Sequence, residues 1–69
     1  MNYTLECEQE EDGRWIAEVL ELPGVMTYGA SRDEAILKAE ALALRVIAER
    51  LENAEAKPTA IHIALPAAA

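Results

Sequence analysis

Residues 31–53 read as one long helix, and this leaves a chain of 69 residues little freedom in what else it can build. The stretch is rich in alanine, leucine, glutamate, lysine and arginine, all strong helix formers. Its start is marked by Ser31-Arg32-Asp33-Glu34. In such a capping box the Ser31 hydroxyl accepts from the Glu34 N–H, and the Glu34 carboxylate reaches back to the Ser31 N–H. The two acids in the first turn also suit the helix dipole. One such helix takes a third of the sequence, so whatever it packs on comes from the short segments on either side.

Those segments alternate with a period of two, the signature of half-buried strands. In residues 2–8, Tyr3, Leu5 and Cys7 share one side, and Asn2, Thr4, Glu6 and Glu8 the other. Glu10-Glu11-Asp12-Gly13 is a turn. Residues 14–20 form the returning strand, with Trp15, Ala17 and Val19 on one face and Arg14, Ile16 and Glu18 on the other. Leu22-Pro23-Gly24 breaks the pairing, because proline fixes φ and glycine lets the chain reverse. Residues 25–28 give a third short strand that ends at Gly29. Residues 54–58 read as a loop and residues 59–65 as a fourth strand stopped by Pro66, with a frayed end beyond it. The expectation is an α+β domain of order β-β-β-α-β, spanning residues 1–69. Three strands meander antiparallel, the helix crosses over, and the last strand lies parallel to the first through a right-handed connection.

The helix carries two apolar faces. Ala35, Ile36, Ala39, Leu42, Ala43, Val46 and Ile47 fall on one broad arc that should cover the sheet. Leu37, Ala41, Leu44, Ala48 and Leu51 form a second stripe with the four-three spacing of a coiled-coil seam. One arc can be buried on one small sheet. The second stripe is either a consequence of alanine-rich helix composition or a self-association surface. A core this small, with one cysteine and hence no internal disulfide or CxxC metal cluster, favours self-association as a dimer or tetramer.

Net charge is −7, and residues 1–34 hold all of it: nine acids against two bases, while residues 35–69 balance at four and four. Such a surface repels phosphate backbones and attracts basic partners, although acidic residues also serve plain solubility. Binding to DNA or RNA is not expected. Nor is a membrane span, since no apolar run approaches about 20 residues. The polar, acidic N-terminus has no leader-like basic and apolar regions, so a cytoplasmic protein is expected.

Enzymatic chemistry finds little support. Glu6, Glu8, Glu18 and His62 could gather on one sheet face if the fourth strand neighbours the first, but there is neither a second histidine nor a nearby nucleophile. Cys7 sits on the apolar side of its strand in an acidic stretch, which suits a core residue rather than a reactive thiol. Ser31 is explained by capping and Thr27 by strand propensity. Gly13, Gly24 and Gly29 are spaced like turns, not like a phosphate loop. No cofactor or metal is expected.

Asp12-Gly13-Arg14-Trp15-Ile16-Ala17-Glu18-Val19, followed by Leu22-Pro23-Gly24-Val25, Tyr28-Gly29 and Ser31-Arg32-Asp33-Glu34-Ala35, resembles the HicB-like antitoxin family. The order and spacing match over about residues 3–52. Leu20 stands where that family often has proline, and Ser31 where it often has threonine. The resemblance implies a partial ribonuclease-H-like fold without nuclease activity. It also implies that the domain neutralises a small basic mRNA-cleaving toxin of the HicA type by covering it. Many members carry a C-terminal DNA-binding segment. This sequence ends at Ala69, soon after the fourth strand, so a short form without that segment is expected. The other reading is a stand-alone oligomeric domain with no toxin partner. The candidate partner-binding residues are Glu8, Glu10, Glu11, Trp15, Ile16 and Tyr28; those for self-association are Leu37, Ala41, Leu44, Ala48 and Leu51.

Overall fold

The computed structural model describes residues 2–53 and 61–64. Within them the chain folds as β1 (Asn2–Gln9), β2 (Trp15–Val19), β3 (Met26–Gly29), α1 (Arg32–Glu52) and β4 (His62–Ala64). The sheet runs β3-β2-β1-β4. Neighbours are antiparallel except for β1 and β4, which are parallel. This is the expected α+β order, with the helix on one face of a mixed four-stranded sheet. The loop expected at residues 54–58 and the outer residues of the fourth strand, 59, 60 and 65, lie outside the described residues, as does the C-terminal end from 66 on.

Local chemistry places each turn. Gly13 closes the first hairpin at φ 93°, where a side chain would be strained. Its N–H donates to the Glu10 carbonyl, and the Asp12 carboxylate accepts from the Arg14 N–H at 3.1 Å. Leu22-Pro23-Gly24-Val25 is a β-turn closed by Val25 N–H donating to the Leu22 carbonyl, with Gly24 at φ 91°. Proline second and a positive-φ glycine third is the type II pattern. The turn drives Leu22 inward to 1% exposure, making it the most deeply buried large side chain.

Gly29 has a different role from the one its spacing suggested. Its φ is not positive; it lies where the sheet meets the helix. A β-carbon there would stand 2.5 Å from the Ala35 nitrogen. Beside it, the Thr27 hydroxyl donates to the Ala35 carbonyl at 2.8 Å. Thr27 therefore ties β3 to the first turn of α1, beyond filling a strand.

The core is one cluster. Tyr3, Leu5, Ala17, Val19, Leu22 and Val25 come from the sheet side; Ala35, Ile36, Ala39, Ala43 and Ile47 come from the helix. Leu42, Val46, Cys7, Trp15 and Ile63 pack on its margin. The alanines at 35, 39 and 43 are fully buried, which lets the helix lie close on the sheet. The helix starts as expected at Ser31, whose hydroxyl accepts from Glu34 N–H at 3.2 Å. The returning arm differs: the Glu34 carboxylate accepts from the Ala30 N–H at 3.3 Å and from Lys38 at 3.1 Å, one residue earlier than a standard capping box.

Candidate functional site

The helix covers only one face of the sheet. The other face is open, and the period-two alternation decides what stands on it. Pairing register aligns these side chains in cross-strand rows. Glu8 of β1 is opposite Ile16 of β2, and Ile16 is opposite Tyr28 of β3, so one row reads Glu8–Ile16–Tyr28. The next row reads Glu6–Glu18–Met26. Beyond it, Leu20 N–H donates to the Thr4 carbonyl, which sets Leu20 beside Thr4. Leu20, Met26 and Tyr28 are large apolar side chains left exposed, and Ile16 is half-buried between them. The β2–β3 half of the face is thus apolar, while the β1 half is acidic.

Electrostatics sharpen this division. Glu6 and Glu18 are paired directly across the β1–β2 ladder, and both are exposed. Like charges in that position cost stability, so a cation arriving on this face relieves a repulsion built into the free domain. At the tip, Arg14 is held by Asp12 with 2.8 Å between Nε and Oδ2. Its guanidinium lies 4.7 Å from the centre of the Tyr28 ring. The Arg14 N–H above all, and then the guanidinium, hold the Asp12 carboxyl below its ordinary range. The tyrosine is therefore presented with one ring face already capped by a cation. Glu21, just after β2, accepts the Thr4 N–H at 2.7 Å, and this hydrogen bond lowers its pKa. It completes the ladder where β2 has ended.

Five of the six candidate partner-binding residues lie on or beside this face. Glu8, Ile16 and Tyr28 share one row; Glu10 and Glu11 stand in the adjoining turn, Glu10 half-buried and Glu11 exposed. Trp15 does not belong with them. It points to the helix side, half-buried and packed on the margin of the core, as its parity with Ala17 and Val19 dictates. Sequence reasoning missed Leu20 and Met26, although the signal was present: Leu20 has the parity of Ile16 and Glu18, and Met26 that of Tyr28. All five residues of the second helical stripe, Leu37, Ala41, Leu44, Ala48 and Leu51, are exposed.

The carboxylate–histidine cluster is not assembled. His62 pairs with Asn2, four residues along β1 from Glu6 and hence about 13 Å away at the usual strand rise. Among the described residues no group of three or more histidine, cysteine or acidic side chains could hold a metal ion. Cys7 is half-buried, and burial raises its pKa, although Arg32 pulls the other way. No described helix is long and apolar enough to cross a membrane. No family model, curated protein or solved structure matches the chain.

Proposed function

We propose that the domain is a non-catalytic protein-binding module that docks a small basic protein on the open face of its sheet. The observation that carries this is the row Glu8–Ile16–Tyr28, which sets an acidic residue, an aliphatic anchor and an aromatic anchor side by side. Glu6, Glu18, Met26 and Leu20 widen the same surface. Apolar anchors of this kind supply affinity, and flanking charges supply the encounter rate. A neutral helix half and an acidic hairpin half orient an approaching cation toward the sheet.

The motif resemblance narrows the partner's chemistry. A HicB-like antitoxin in the partial ribonuclease-H-like arrangement would cover a basic mRNA-cleaving toxin of the HicA type, and it would need no cofactor, nucleic acid or membrane to do so. Such a protein would work in the cytoplasm, where its toxin acts on mRNA. The partner to use in the test is a small basic protein of the HicA type, and the adjacent reading frames are where to look for one. Changing Glu8, Glu10 and Glu11 together to lysine is expected to slow association at least tenfold at low salt and to flatten its salt dependence, with little effect on dissociation. Surface-bound kinetics at two ionic strengths read this out. An unchanged association rate reduces the acidic turn to a solubility device. The second reading, a stand-alone oligomer with no toxin, is favoured by the exposed helical stripe and by that alone.

A further inference from the structure

We infer that the outer face of α1 is a homodimer interface, in which two copies pair their helices in parallel, back to back. This interface is separate from the open sheet face, and its failure would leave the partner-binding reading intact.

The first observation is where the stripe lies. At about 100° per residue, Leu37, Ala41, Leu44, Ala48 and Leu51 centre roughly 130° around the helix from Ala35, Ile36, Ala39, Ala43 and Ile47, the residues buried against the sheet. Leu37 is 67% exposed, Leu44 54% and Leu51 39%. The leucines recur every seven residues with alanines between them, so the stripe is a seam of two heptads about 21 Å long. A seam this short is marginal for peptides that must also fold on association. Here the helix is already built on the sheet, so its ordering is not charged to dimerisation.

The second observation names the occupant. In heptad terms the residues flanking the seam on one side are Asp33, Glu40 and the core residue Ile47, and on the other Lys38, which also pairs with Glu34 of its own helix, Arg45 and Glu52. In a parallel pair each flanking residue meets the opposite-flank residue five positions on in the partner. Asp33 then faces the partner's Lys38, and Glu40 the partner's Arg45, twice each by symmetry. Every charged pair so formed is attractive. An antiparallel pair packing Leu44 on the partner's Ala48 sets Arg45 against the partner's Arg45. Glu40 and Arg45 form no ion pair or side-chain hydrogen bond with other described residues of their own chain. The flanking charges thus fit a second copy of this chain in one orientation.

In such a dimer the two helices lie in the middle and the two sheets outside. Both open faces then point outward, each free to take a partner.

Sedimentation equilibrium of the purified chain tests this directly. A dimer is expected at tens of micromolar, and Leu44→Glu is expected to give a monomer with the parent's circular dichroism that melts below the parent at high concentration and with it at high dilution, because Leu44 is 54% exposed and outside the core cluster. Glu40→Arg should weaken the dimer roughly three- to tenfold, and adding Arg45→Glu should restore it. In a Cys7→Ala background, Ala48→Cys should cross-link copy to copy on oxidation, since only the parallel register sets residue 48 against itself. A parent chain that stays monomeric at 100 µM (on the order of the weakest association relevant here) overturns the interface. So does a dimer that survives Leu44→Glu. An absent cross-link in a proven dimer overturns the parallel orientation.

Discussion

At the residue scale, two positions at the start of the helix each carry a specific, testable cost of substitution. Gly29→Ala forces a methyl group against the Ala35 backbone, which cannot swing aside as a flexible side chain could. Overpacking of this kind is expected to cost about 2 kcal/mol. A lowered midpoint in urea unfolding with an unchanged slope is the sign to seek. An unchanged midpoint means that β3 and α1 are less closely seated than described. Ser31→Ala removes the hydroxyl that satisfies the Glu34 N–H, and its expected cost is about 1 kcal/mol. A thermal melt measures it; no shift would place the start of the helix elsewhere. The two glycine roles differed in legibility. Gly24 follows proline in a turn and could be read locally. The need for glycine at 29 arises from a residue six positions later, across a tertiary contact, and no local pattern encodes it.

At the element scale, one ladder position of β1 is completed by a side chain. Glu21 takes the place of a strand residue by accepting the Thr4 N–H, and this bond holds its pKa below the ordinary value. Lys38 first, then the Ala30 N–H, lower Glu34 in the same direction. A carboxylate whose folded pKa lies below its unfolded one stabilises the fold above the unfolded pKa, and loses that contribution as pH falls through the folded value. Stability is therefore expected to hold at neutral pH and to fall below about pH 4.3, the ordinary glutamate value. Glu21→Gln keeps an acceptor for Thr4 but cannot titrate, so it should flatten this acid limb. Melting temperatures between pH 7 and pH 3 compare the two. Identical slopes for parent and variant would show that other acids set the limb. The elements themselves were largely readable, because alternation and helical spacing follow directly from which face is buried. The core arc, the outer stripe and the parallel fourth strand all follow from that logic. The register of β4 on β1 does not, since it is fixed by the length of the whole crossover. That is why His62 could be expected near Glu6, yet pairs with Asn2 instead. The Glu34 carboxylate escaped for a related reason: Ala30 N–H and Lys38 Nζ both compete for it, and a motif names only one partner.

At the scale of the whole molecule, the domain has two unlike surfaces on opposite sides of one core. The sheet presents acids beside Ile16, Leu20, Met26 and Tyr28, and the helix presents a leucine–alanine seam. The site was half legible in the sequence: the acidic turn, Ile16 and Tyr28 follow from charge and parity. Trp15 did not belong, because an aromatic residue is as useful to a small core as to an interface. The division of labour between the surfaces can be mapped amide by amide. The most direct measurement is a titration of the ¹⁵N-labelled chain with a small basic protein of the HicA type, followed by amide chemical shifts. Residues 6, 8, 16, 18, 20, 26 and 28 are expected to shift or broaden together, while 37, 44 and 51 stay where they are. Perturbation centred on the helix, or none at all, would contradict a sheet face built to receive a basic partner.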